Sequence, residues 1–339
     1  MRRIVLVCLL VAVMTVGCQV AWGQTLPAGE GSKEICTVID TDLALDDFRA
    51  IAMVLGQRKQ VSFVVSEGVA DTRTSVQLLE SFLTSISADS GTNVFVGRLV
   101  HADVDEYYRD HLSDMTWMVP VRNHFAAALK GDWLHVGQRP FKGREFNPGS
   151  ELEFVRTLSD HCSTVEVLML GPATNFVHYA PLLGMQVSRI VVEMGMWQGL
   201  PSERSFNCYY DWPSCMKLGF LKSLPRFEFA DSPHDPSFGP SAELILSYRG
   251  SRIGDALIRL HQVETSWCDG STSMWDDSAA AYLLGLVTFV QDANGLRIPS
   301  VTAKEFWRAE RLAVAPNLPQ AALDMSHNTP QVCSPPIPN

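Results

Sequence analysis

Asp40-Thr41-Asp42-Leu43-Ala44-Leu45-Asp46-Asp47 places four carboxylates within eight residues. The segment follows the apolar run Ile35-Cys36-Thr37-Val38-Ile39 and precedes the helical pattern of Phe48-Arg49-Ala50-Ile51-Ala52-Met53-Val54-Leu55. Like charges crowded into one strand-to-helix turn raise each other's pKa values unless a cation or a substrate sits among them. Acidic residues in the first turn of a helix are favoured by the helix dipole, which accounts for Asp46 and Asp47. That explanation does not reach Asp40 and Asp42, which lie two apart at the strand end and point to the same side if the chain is still extended there. An oxygen-rich cluster of this kind suits a hard cation, Ca²⁺ or Mg²⁺, better than zinc.

The elements that must position this turn alternate between short apolar runs and helical patterns, the mark of an α/β fold with an open, mostly parallel sheet flanked by helices. Strands are expected at Ile35–Asp40, Val61–Ser66, Asn93–Val96, Val165–Leu170, Arg189–Glu193 and Arg226–Ala230, and their near-continuous apolar character fits burial on both faces. Helices are expected at Thr74–Ile86, at Glu151–Leu158 with Ser150 and Glu153 in a capping-box spacing, and at Asp277–Val290. In open α/β sheets ligands bind at the carboxyl ends of the strands. Three strand ends carry residues of interest: Asp40 to Asp47, Leu170-Gly171-Pro172-Ala173-Thr174-Asn175, and Met194-Gly195-Met196-Trp197.

The amino terminus has the make-up of an export signal, with Met1-Arg2-Arg3 followed by an apolar stretch from Ile4 to Gly17 that falls short of the about 20 residues a membrane span needs. Cleavage is expected after Gly23, making residues 1–23 the signal, or just before Cys18, which would then carry a lipid anchor. The expected destination is therefore periplasmic, secreted or attached to the cell envelope. The main domain is expected over residues 30–312, with about 101–148 forming a lid or an insertion and 317–339 a Pro-rich irregular tail. The net charge of −10 and the absence of a basic stripe interleaved with aromatics argue against a nucleic-acid polymer as partner. Six cysteines follow the signal, and six allow 15 pairings, so an oxidising compartment permits disulfides whose connectivity the sequence does not disclose.

Four segments together resemble the inosine–uridine-preferring nucleoside hydrolase family. Asp40 to Asp47 matches its Asp-Thr-Asp-x-x-x-Asp-Asp fingerprint, and Gly171-Pro172-Ala173-Thr174-Asn175 matches a Gly-Pro-x-Thr-Asn segment. Met194-Gly195 followed by Phe206-Asn207 and Asp211 forms the third, and Trp275-Asp276 before Ala279-Ala280-Ala281-Tyr282-Leu283 the fourth. The resemblance implies a single Ca²⁺ held by Asp42, Asp47, the main-chain carbonyl of Leu170 and Asp276. It implies hydrolysis of the N-glycosidic bond of a ribonucleoside or related N-ribosyl compound, with a metal-held water as nucleophile and Asp42 as general base. Asp46 would bind a ribose hydroxyl, and Met194 and Asn207 would contact the sugar. The implied partner is a small nucleoside-like molecule, and the implied assembly is a homodimer or homotetramer.

Departures from the family pattern bear on the substrate. Trp275 stands where many members carry the histidine credited with protonating the leaving group; it offers no labile proton, though it can stack on a base. Ser205 replaces a glutamate before Phe206-Asn207, and Val69 stands after Gly68 where an asparagine often follows. His234-Asp235 resembles the missing His-Asp pair but lacks the Ala-rich helix, and His124 and His135 lie in the expected lid. Two other functions compete: a catalytically silent Ca²⁺- and sugar-binding protein, and a haloacid-dehalogenase-like phosphohydrolase using Asp40 and Asp42. The latter leaves Asp46-Asp47 and the segment from Met194 to Asn207 unexplained.

Overall fold

The computed structural model describes residues 34–68, 71–88, 92–98, 100–101, 144–145, 150–197, 200–202, 205–221, 223–233, 235–263 and 274–316. The signal and lipid anchor, nearly all of the expected lid with His124 and His135, the Pro-rich tail, Val69 and His234 lie outside these residues.

Six parallel strands make the centre of the sheet: β1 (Glu34–Thr41), β2 (Val61–Val65), β3 (Asn93–Val96), β5 (Cys162–Met169), β6 (Val187–Glu193) and β9 (Phe227–Ala230). Three short strands complete it, β4 (Arg144–Glu145) beside β3 and, at the other end, β11 (Arg297–Pro299) and β10 (Phe289–Gln291). Among the described residues the order is β10-β11-β9-β6-β5-β1-β2-β3-β4, and only β10 runs antiparallel to its neighbour. β7 (Met196–Trp197) and β8 (Leu200–Pro201) form a separate two-stranded ribbon.

From β1 the chain moves outward through β2 and β3, then returns to β5 on the other side of β1 and proceeds through β6 to β9. The direction of winding therefore reverses between β1 and β5, and such a switch point opens a crevice at the carboxyl ends of the two strands. The pairing that sets this crevice is exact in register from Ile35 opposite Thr164 to Asp40 opposite Met169.

Alternation along the strands divides the core in two, as a period of two requires. Ile39 and Leu168 face one layer, which includes α1 (Leu45–Gln57), α2 (Thr72–Ser85), α7 (Ala242–Ser247), α8 (Arg252–Val263), α9 (Trp275–Leu284) and α10 (Ala303–Val314). Val38 and Val167 face the other, with α3 (Ser150–His161), α4 (Phe176–Leu183), α5 (Phe206–Tyr210) and α6 (Trp212–Lys217). Disulfides join Cys36 to Cys162, at the amino ends of β1 and β5, and Cys208 to Cys215, across α5 and α6.

The helix expected over Asp277–Val290 is shorter and starts earlier. Gly285 adopts the left-handed conformation (φ 65°) and closes α9 at Leu284, with its N–H on the Tyr282 carbonyl and that of Leu286 on Ala281. The rest of the apolar run becomes a turn and β10.

Candidate active site

α1 and α9 pack against each other, and both begin at the carboxyl edge of the sheet. Ala279, Ala280 and Ala281 are buried, and their small side chains let the two helices come close. The first turn of α1 carries Asp46 and Asp47, and the first turn of α9 carries Asp276 and Asp277. One carboxyl oxygen from each of Asp46, Asp47 and Asp276 lies within 4.8 Å of the others. Asp277 is set apart from this group by a forked pair with Arg49, whose Nε and Nη2 donate to its two oxygens at 2.9 and 2.7 Å in the fully buried layer. His261 supports Arg49 as a neutral ring: Arg49 Nη1 donates to Nε2 (3.0 Å) and Nδ1 donates to the Leu257 carbonyl (2.8 Å). Burial and the adjoining guanidinium push the His261 pKa down to about 3.

The turn between β1 and α1 is held by its own side chains. Thr41 donates its hydroxyl to Asp47 and accepts from the Leu43 N–H at 3.2 Å, while the Ala44 N–H donates to the other Asp47 oxygen at 2.8 Å. Leu43 is buried with φ of 59°, a left-handed backbone costing a residue with a β-carbon about 1–3 kcal/mol. This kink redirects the chain from strand to helix within a few residues. Asp42 lies just before it, buried, and backbone crowds it on two sides. A Cβ added at Gly68 would fall 2.0 Å from Asp42 Oδ2, and one at Gly171 would fall 2.9 Å from Asp42 N.

The Leu170 carbonyl comes directly after β5, across the switch point from Asp42. It accepts from Asn207 Nδ2 at 2.5 Å, and the same amide nitrogen donates to Glu193 Oε2 at 2.7 Å. Asn207 Oδ1 is buried without a hydrogen-bond partner. Met194 is fully buried behind this group, its sulfur 3.5 Å from Cys215 Sγ. Trp275 is half-buried as the first residue of α9, next to Asp276. Asp40, the remaining acid of the turn, accepts from Ser66, which in turn accepts from Asn175 Nδ2 at 2.9 Å. Burial raises its pKa to about 7 despite the Ser66 bond.

Electrostatics set the cluster apart from an ordinary polar patch. Burial first, then the charge of Asp47, raises Asp46 to about 7. Asp47 is raised by burial, and Asp276 well above its ordinary value by burial and then by Asp47, Asp46 and Glu193. Glu193 is likewise raised, by burial and then by Asp231, Asp46 and Asp42. Carboxyl groups gathered this closely in a buried place do not all ionise together unless a cation compensates them. A divalent cation would supply that compensation, and an all-oxygen donor set of carboxylates with a main-chain carbonyl is the kind that hard cations such as Ca²⁺ take.

The structure thus brings Asp46, Asp47 and Asp276 into one group. Asp42 sits at the same turn, and Glu193 links the two sides electrostatically. Glu193, Glu67, His101, Tyr210 and Asp231 were not picked out from the sequence. Each of Glu193, Glu67 and Asp231 follows or ends a strand, and an acid at the end of an apolar run such as Val64-Val65-Ser66-Glu67 or Val191-Val192-Glu193 was the available signal.

A scan against protein-family models finds no match, and neither does a search of curated proteins. Among solved structures, a plant nucleoside hydrolase aligns at TM-score 0.57 and 14% identity over 84% of this chain and 99% of its own. An inosine-guanosine nucleoside hydrolase gives 0.57 and 14% over 83% and 98%. The inosine-uridine preferring nucleoside hydrolase from Bacillus anthracis gives 0.56 and 11% over 83% and 99%. The described chain therefore has the nucleoside hydrolase fold, an open and mostly parallel α/β sheet, and its acidic group lies at the switch point of that fold.

Proposed function

We propose that this protein hydrolyses the N-glycosidic bond of ribonucleosides or a related N-ribosyl compound with the help of a divalent cation, Ca²⁺ on the chemistry of the donors. The observation that carries the reading is the meeting of Asp46, Asp47 and Asp276 within 4.8 Å at the switch point of a nucleoside hydrolase fold. Asp42, Asp47, Asp276 and the Leu170 carbonyl would hold the ion, with Asp46 beside it. When bound, the ion supplies the positive charge that lets these acids ionise together and helps to orient water and the ribose diol.

The chain's own residues do the rest. Asp42 accepts a proton from the attacking water as the C1′–O bond forms. The surrounding carboxylates stabilise the positive charge that develops on the sugar as the C1′–N bond breaks. Asn207 and Glu193 form a hydrogen-bonded pair beside the floor, and together they offer the sugar hydroxyls a carboxylate that Ser205 does not carry. Trp275, at the mouth of α9, presents an aromatic face to a base.

Two disulfides among the described residues support an exported protein, in keeping with the expected signal. The test is release of free ribose from inosine and uridine in the presence of Ca²⁺. Asp42→Ala should lower the rate by about 10²–10⁴-fold, as expected for loss of a general base, with the melting curve still cooperative. Full activity in that variant would overturn the assignment. The absence of a labile proton on Trp275 favours one rival, a silent binder, which would show Ca²⁺ uptake by calorimetry and no ribose from any nucleoside.

A further inference from the structure

We propose that His101, held by Glu67 and Tyr210, is the acid that protonates the departing base; this rests on the hydrolase reading above and adds to it the group that Trp275 cannot be. Glu67 leaves the end of β2, fully buried, and four donors converge on its carboxylate. The main-chain N–H groups of Val100 and His101 reach Oε2 at 3.1 and 3.3 Å, the Tyr210 hydroxyl reaches Oε1 at 2.7 Å, and His101 Nδ1 pairs with Oε1. Tyr210 packs edge-on against the imidazole with ring centres 5.5 Å apart. So many contacts fix the ring plane and its tautomer. With Nδ1 committed to a carboxylate, proton traffic falls to Nε2.

The trio is tied at both ends to the acidic floor. Glu67 precedes Gly68, the residue whose backbone abuts Asp42. Tyr210 lies three residues after Asn207 on α5, and Asn207 reaches the Leu170 carbonyl at 2.5 Å. β2 and β3 end beside β1 on the same edge of the sheet. The imidazole is accessible, its side chain 19% exposed, whereas the glutamate beneath it is not exposed at all. A buried carboxylate orienting a partly exposed histidine is an arrangement for moving a proton at the histidine's far nitrogen.

The chemistry needs such a group, because a base leaving without a proton departs as an anion. As the C1′–N bond breaks, its electron pair goes to the base and the proton on His101 Nε2 passes to a ring nitrogen. The water oxygen forms the C1′–O bond, and its proton goes to Asp42. Ribose and neutral base result, and the imidazole regains a proton from solvent while Asp42 releases one.

The experiment compares inosine with p-nitrophenyl β-ribofuranoside, whose phenolate leaves without a proton, using the full chain with Ca²⁺. His101→Gln should cut inosine hydrolysis by about 10²-fold or more while holding the nitrophenyl rate within about threefold. Glu67→Gln, close in shape, should give the same selective loss to a smaller extent. Equal loss on both compounds, or none on inosine, overturns the role of His101. Wild-type turnover of the nitrophenyl compound alone leaves a hydrolase standing and likewise overturns that role. Wild-type turnover of neither compound overturns the hydrolase reading itself, and this inference with it.

Discussion

Gly68 is where the backbone comes closest to the proposed base. A methyl group there would lie 2.0 Å from Asp42 Oδ2 and 2.6 Å from Asp42 Cβ, and Asp42 is buried, so the carboxylate itself would have to move. Gly68→Ala should therefore lower ribose release by about 10–100-fold, since an ångström of misplacement is costly to catalysis, while the thermal transition stays cooperative. A variant with wild-type rates would show that Asp42 need not sit where it does. At this scale the sequence was informative wherever chemistry is local. The Asp-Thr-Asp turn announces itself because four like charges in eight residues need an explanation. Glu67, His101 and Tyr210 gave no such notice, because they lie in three separate segments that only β2, β3 and α5 bring together. Glu193 was hidden in the same way, since its meaning comes from Asn207, fourteen residues on and reachable only after the chain has turned through β7 and β8.

Between elements, the seam of α1 with α9 decides whether the acids meet at all. Across it runs the ion pair of Arg49 with Asp277, both fully buried. Removing one member leaves an uncompensated buried charge, so Arg49→Met should destabilise by about 3–5 kcal/mol in urea unfolding, and Arg49→Met with Asp277→Leu should recover most of it. A single variant as stable as the wild type would mean that Asp277 is neutral in the fold. The six central strands were legible because strands buried on both faces read as apolar runs with clear ends. The end of α9 was less so: Gly285 sits inside the run Leu283-Leu284-Gly285-Leu286-Val287, and only its left-handed backbone reveals that it stops the helix. The short strands β10 and β11 carry too few residues to show a period. Cysteine pairing was closed to sequence reasoning, because Cys36 meets Cys162 only through the β1–β5 register.

For the molecule as a whole, the acidic group makes stability depend on pH and on cations. Asp40 and Asp46 keep in the fold, up to about pH 7, a proton that a free carboxyl loses near its ordinary value of 3.8. Their contribution is thus complete below that value and is lost as pH rises through about 7. Asp47, Asp276 and Glu193 are shifted in the same direction. His261, its pKa lowered to about 3 by burial and then by Arg49, acts oppositely on the acid side. Saturating Ca²⁺ should therefore raise the melting temperature more at pH 8 than at pH 5, by a margin read in paired thermal scans, and an equal rise at both values would exclude cation binding by this group. The sheet that carries these acids has a second feature with a mechanical consequence. β1 enters at Glu34 on the edge opposite the pocket, and Cys36 ties it to β5 four residues before Asp40, about 13 Å away at a strand's rise of about 3.3 Å per residue. A pull on the chain ahead of Glu34, as from a tether or a fused partner, meets that covalent bond first and is shared with β5, so the load passes into the middle of the sheet and the loops around Asp42 are spared.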